Sequence, residues 1–158
     1  MRRNFVNAGL MLATMSILTL VPLRAEASHC SQGSAAGNWA YTYIGTVYAP
    51  DPLPAAAVGH FSQDSKGNVT GSQTHTLAGA TEVEDISGTA TVNEDCTGAA
   101  TISVFLNGQL LRTATLNVAY DSDGNHARMI FTSLTLADGT SLPVVVTLDA
   151  RRVFPGKN

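Results

Sequence analysis

The stretch AATISVFLNGQLLRTATLNVAY, Ala99 to Tyr120, decides how this chain folds. At its middle stands Asn107-Gly108, a pair that accepts positive φ and so closes a tight hairpin. On either side apolar and polar residues alternate. Ile102, Val104 and Leu106 share one face of the first arm, and Ala114, Leu116, Val118 and Tyr120 share one face of the second. Thr113, Thr115 and Asn117 fall opposite. A period of two with one apolar face means strands set between a core and water.

The same unit repeats in both directions. Turn residues cluster at Asp64-Ser65-Lys66-Gly67-Asn68, Asn93 to Gly98, Asp121 to Asn125 and Asp138-Gly139. The segments between them predict eight strands, near 38–48, 55–63, 69–77, 81–92, 99–106, 110–120, 127–136 and 142–152. Tyr48 to Pro54, with three prolines, reads as a longer loop. No helical period appears past the first residues. Eight strands joined by short hairpins make a meander, and closing the sheet on itself removes its two edges. A Greek-key sandwich needs longer crossovers than most of these connections provide. The expected fold class is therefore all-β, an eight-stranded antiparallel up-and-down barrel.

The two ends of the chain set its compartment. Arg2 and Arg3 precede an uncharged, mostly apolar run from Ala8 to Val21, and Ala25-Glu26-Ala27 has the small-x-small form of a cleavage site. Residues 1–27 are read as a signal peptide, and 28–158 as a single barrel domain that is secreted or periplasmic. Arg2-Arg3-Asn4-Phe5-Val6 weakly resembles a twin-arginine signal, so general and twin-arginine export both stay open. His29 before Cys30 argues against lipidation. After cleavage, six basic and eleven acidic side chains remain, a net charge of −5. With only two lysines, this does not suit nucleic acid or an anionic membrane surface. Cys30 and Cys96 are the only cysteines, and a bridge between them is the economical reading in an oxidising compartment.

The stretch Gly37 to Tyr43, GNWAYTY, places Trp39, Tyr41 and Tyr43 on one strand face. Gly37-Asn38-Trp39, with Arg151-Arg152 in the last strand, resembles the calycin superfamily of lipocalin-like barrels. That resemblance implies a tryptophan packed under an arginine at the closed end of the barrel. By parity Arg152 faces inward and Arg151 outward. The short, Gly- and Thr-rich strands are equally similar to barrels of the allene-oxide-cyclase and dirigent type. Such a barrel is filled by side chains or holds one small ligand.

Tyr41, Tyr43 and Tyr120 are expected on a cavity wall, with the inward Gly45, Gly59, Gly71, Gly88 and Ala90 leaving room opposite the rings. A two-residue turn at Gly79-Ala80 would set His75 opposite Glu84, Leu77 opposite Glu82 and Gln73 opposite Ile86. Gln73, His75, Glu82 and Glu84 would then gather near one mouth, where a carboxylate beside an imidazole suits proton transfer. His75 and Glu84 are the catalytic candidates.

Asp121 to Asn125 has its glycine fourth, where a calcium loop needs it sixth, so it reads as a turn. The four histidines show no ligand spacing. Neither metal nor cofactor is expected. Three functions follow: a barrel binding a small, largely apolar molecule; a cyclase or isomerase using the cavity; or a structural protein with a filled barrel. The last would assemble, as a homo-oligomer, through an outer face such as Met129/Phe131.

Overall fold

The computed structural model describes residues 30–153; the leader assigned to residues 1–27 lies outside them. Among the described residues the strands are β1 (Gly37–Tyr48), β2 (Pro52–Gln63), β3 (Asn68–Leu77), β4 (Ala80–Val92), β5 (Thr97–Leu106), β6 (Gln109–Tyr120), β7 (His126–Leu136) and β8 (Val144–Arg152). Each pairs with the next, and β1 pairs with β8 from Trp39↔Arg152 to Val47↔Val144, which closes the barrel. The alternation read from Ala99 to Tyr120 holds: Val104, Ala114, Leu116 and Val118 are buried inward. Asn107 and Gly108 both take positive φ, 51° and 79°, between the paired Leu106 and Gln109.

Four expectations change. The proline-rich loop shrinks to Ala49–Asp51, and β2 begins at Pro52. The paired part of β3 ends opposite Ala55, and Pro54 turns its carbonyl toward Ala78 on that side. The missing N–H of Pro54 therefore faces the Ala78 turn just past the last ladder pair, and that of Pro52 lies beyond it, where proline is tolerated.

The β3–β4 turn is Ala78-Gly79, with φ of 51° and 91°, not Gly79-Ala80. The register moves by two residues: Leu77 pairs with Ala80, His75 with Glu82, and Gln73 with Glu84. A two-residue shift preserves parity, so each side chain keeps its face.

β7 carries a bulge. Leu116 pairs with Phe131 but Thr115 with Ser133, leaving Thr132 extra. Parity flips there, so Met129 and Phe131 before it and Leu134 after it all point inward, whereas Ile130 is exposed. That explains why both faces of this strand look apolar in sequence, and it removes Met129/Phe131 as an outer contact. The exposed apolar residues include Ile44, Val58, Val83, Ile130 and Val145 instead.

The glycines curve the wall rather than leave room for a guest. A methyl on Gly88 would collide with the Thr101 carbonyl and the Ile102 backbone of β5, and one on Gly59 with the Tyr41 ring. Gly88→Ala should lower stability by about 1–3 kcal/mol, as overpacking does; urea denaturation of the variant measures it.

The chain before β1 plugs one end. Cys30 is bonded to Cys96. Gln32 donates to the Ala90 carbonyl at 2.8 Å and accepts from the Val92 N–H at 3.0 Å. Trp39 is buried, and its indole N–H donates to the Ala35 carbonyl at 3.1 Å. Arg152 holds its guanidinium carbon 5.1 Å from the indole centroid and donates to the Ser34 carbonyl. Arg151, as parity required, is exposed.

At the rim beside this plug His126 is buried, with Nδ1 2.9 Å from Asp121 and Nε2 2.6 Å from Asp149. The hydrogen bond from His126 leads the causes that hold the Asp149 carboxyl below its usual range. The Asp121–Asn125 segment is a turn, closed by Gly124 N–H donating to the Asp121 carbonyl. Among the described residues no His, Cys, Asp and Glu group could hold a metal ion. Nor is any helix there long and apolar enough to cross a membrane.

Candidate functional site

Inside the barrel lies a cavity of about 70 Å³ whose wall is mostly apolar, including Ile86, Ala90, Ala100, Leu116 and Val118. Strand alternation puts these residues inside, and their small or branched side chains leave the space. At its closed end stand Trp39, stacked on Phe61 at 6.0 Å, and Tyr120, edge-on to the indole at 6.2 Å. Met129, Phe131 and Leu148 border the same space and are only partly buried.

The opposite part of the wall is polar. The Tyr41 hydroxyl donates to Gln73 Oε1 at 2.7 Å, and Gln73 Nε2 donates to Glu84 Oε2 at 2.7 Å. Arg112 grips the same carboxylate with both terminal nitrogens, Nη1 to Oε1 at 2.8 Å and Nη2 to Oε2 at 2.6 Å. His75 Nδ1 lies 3.4 Å from Glu84 Oε1 and from Arg112 Nη2, and its ring packs on Tyr43 at 5.9 Å. A planar guanidinium matches a carboxylate in this two-pronged way, fixing both groups.

The electrostatics follow from that geometry. Burial alone would raise the pKa of Glu84. Hydrogen bonds from His75, Arg112 and Gln73, with the Arg112 charge, outweigh it and bring the carboxyl from 4.5 down to about 2. Burial pushes the Tyr43 phenol up to about 12 against the Arg112 charge, and raises Tyr41 further. Burial likewise raises Tyr120. The tyrosines therefore stand as neutral phenols at physiological pH.

Of the residues singled out from sequence, Gln73, His75 and Glu84 meet in one cluster with Tyr41 and Tyr43. Tyr120 belongs to the closed end. Glu82 does not join them: it is exposed, because β5 pairs with β4 only from Asp85 onward and the β3–β4 hairpin projects past it. Sequence reasoning missed Arg112, although it shares the parity of Ala114 and Leu116. It also missed Gln63, buried on β2 at the parity of Phe61 and bordering the cavity's closed end. Polar residues at inward positions were the signal in both cases.

No protein-family model matches the chain, and no curated protein matches its sequence. Solved structures do. The structure of EF1p2_mFAP2b bound to DFHBI is similar at 16% identity and a TM-score of 0.54, covering 80% of this chain and 99% of that one. A redesigned beta barrel, mFAP1, bound to DFHBI matches at 20% identity and 0.49, over 77% and 98% of the two chains. The S-type phycobiliprotein lyase CPES from Guillardia theta matches at 9% and 0.44, over 79% and 92%. The first of these likenesses establishes the fold: an all-β, eight-stranded, closed antiparallel barrel.

Proposed function

We propose that this protein is a calycin-like barrel that binds one small, largely apolar molecule in its interior, in a secreted or periplasmic setting. The observation that carries the reading is the cavity: an apolar wall with one compact polar cluster, as small-molecule sites have. EF1p2_mFAP2b, a barrel of this fold, is described with a small molecule bound. The Cys30–Cys96 bridge supports an oxidising compartment.

Size narrows the ligand. A cavity of about 150 Å³ admits benzene, and the 70 Å³ here is under half of that. The guest is therefore small, or it displaces the half-buried Met129, Phe131 and Leu148.

Proton transfer by His75 and Glu84 is the weaker reading. Glu84 is engaged by three neighbours and held near pKa 2, so close to neutrality it is a poor base.

Titrating isotopically labelled protein with xenon and with cyclopropane, which are small enough for the space, tests the proposal by NMR. Methyl signals of Ala100, Leu116 and Val118 should shift in the wild type. In Ala100→Leu, which fills the space, those of Leu116 and Val118 should not. Silence in both proteins would mean a filled barrel and would end the binding reading.

A further inference from the structure

Polar groups on the cavity wall are mutually satisfied except at the closed end. Tyr41 is bonded to Gln73, Gln73 to Glu84, and both Glu84 oxygens to Arg112. Gln63, paired with Gly37 on β1 and Val69 on β3, is 4% exposed and borders the same cavity. Its Nε2 has no hydrogen-bond partner. The other unpartnered buried donor among the described residues is Arg152 Nε, whose side chain packs over the Trp39 ring and is not part of the cavity wall. A buried amide donor without an acceptor is destabilising and uncommon in native proteins. Methionine or leucine would fill this inward position without that penalty.

We propose that Gln63 is the polar anchor of the bound molecule, its Nε2 donating to a neutral acceptor, a carbonyl or ether oxygen, carried by the guest. The inference rests on the binding reading above and names the chemistry of its ligand. The acceptor is neutral for two reasons. Among the described residues the one cation bordering the cavity, Arg112, is already matched by Glu84. A carboxylate at Gln63 would be buried among apolar side chains with a single donor, an arrangement that costs far more than one hydrogen bond returns. The guest therefore lies with its oxygen toward the Trp39 end and its hydrocarbon body against Ile86, Ala90 and Val118.

The test uses cyclobutanone and methylenecyclobutane, which share a shape and differ in the acceptor, with wild type, Gln63→Met and Gln63→Leu. Without ligand both variants should melt higher, by about 3–8 °C, because an unsatisfied donor is gone. Their affinity for the ketone should fall about tenfold, while that for the hydrocarbon changes less than about twofold. Melting temperatures unchanged or lower in both variants would mean that the amide is already satisfied in the free protein and would overturn the proposal. So would equal losses for the two probes. If the wild type binds the hydrocarbon but the ketone gains nothing from Gln63, only this inference fails. If it binds neither probe, the binding reading fails and takes the inference with it.

Discussion

Arg112→Met will destabilise the barrel by about 3–5 kcal/mol, the cost of leaving a buried carboxylate without its partner. Glu84 is 2% exposed and its two oxygens are both held by Arg112, with Gln73 at 2.7 Å and His75 at 3.4 Å beside them. Removing the guanidinium leaves the charge where water cannot reach it. The double variant Arg112→Met with Glu84→Met should lie close to wild type, because replacing a buried pair by apolar residues of similar size is often neutral. Urea denaturation of the two singles and the double forms a cycle whose coupling term isolates the pair. A single-variant loss under about 1 kcal/mol would show that the pair is more hydrated than its geometry implies.

The pH profile supplies an independent sign. In the folded barrel Glu84 titrates near 2, against an ordinary 4.5. A depressed carboxyl binds its proton more weakly when folded, so its stabilising contribution is full above about 4.5 and is lost as pH falls toward 2. In Arg112→Met two of the influences that lower the pKa, its hydrogen bond and its charge, are gone, so the Glu84 carboxyl moves up toward its ordinary range. That variant should lose less stability on acidification than the wild type does.

The fold was legible because hairpin chemistry and period-two patterning agree along most of the chain. Asn107-Gly108 marked the β5–β6 turn, although an extra residue at Leu111 shifts the register just beyond it, and parity placed Trp39, Tyr41, Leu116 and Val146 inside without any structure. What escaped were features that break the period. The extra residue at Thr132 turns the second half of β7 over, a bulge with no glycine to announce it. Ala78 adopts positive φ although alanine seldom does, which moved the β3–β4 register by two residues. The polar cluster was half visible. Gln73, His75 and Glu84 were found because they sit together on one hairpin. Arg112 lies on β6, 28 residues further along, and the β4–β5–β6 pairing brings it across β5 to Glu84.

Removing the Cys30–Cys96 bridge, as Cys30→Ala with Cys96→Ala, should cost about 4 kcal/mol, because it frees the loop that the bridge restricts in the unfolded chain. The cysteines are 66 residues apart, and the chain-entropy model assigns that figure to a loop of this length. Against a typical domain stability of about 5–15 kcal/mol this is a large share. The effect should fall on the unfolded chain more than on the barrel. The plug keeps its other ties, from Gln32 to Ala90 and Val92 and from the Trp39 indole to Ala35. Trp39, the only tryptophan, reports on this directly. Its emission in the folded double variant should match that of the oxidised wild type, while the urea midpoint drops. Adding Gln32→Ala to the bridge-free protein should then loosen the plug, exposing the indole and shifting its emission to the red. A red shift already in the bridge-free protein would place the effect in the native state instead. The bridge would then act as a clamp on the closed end, and the entropic account of its role would be wrong.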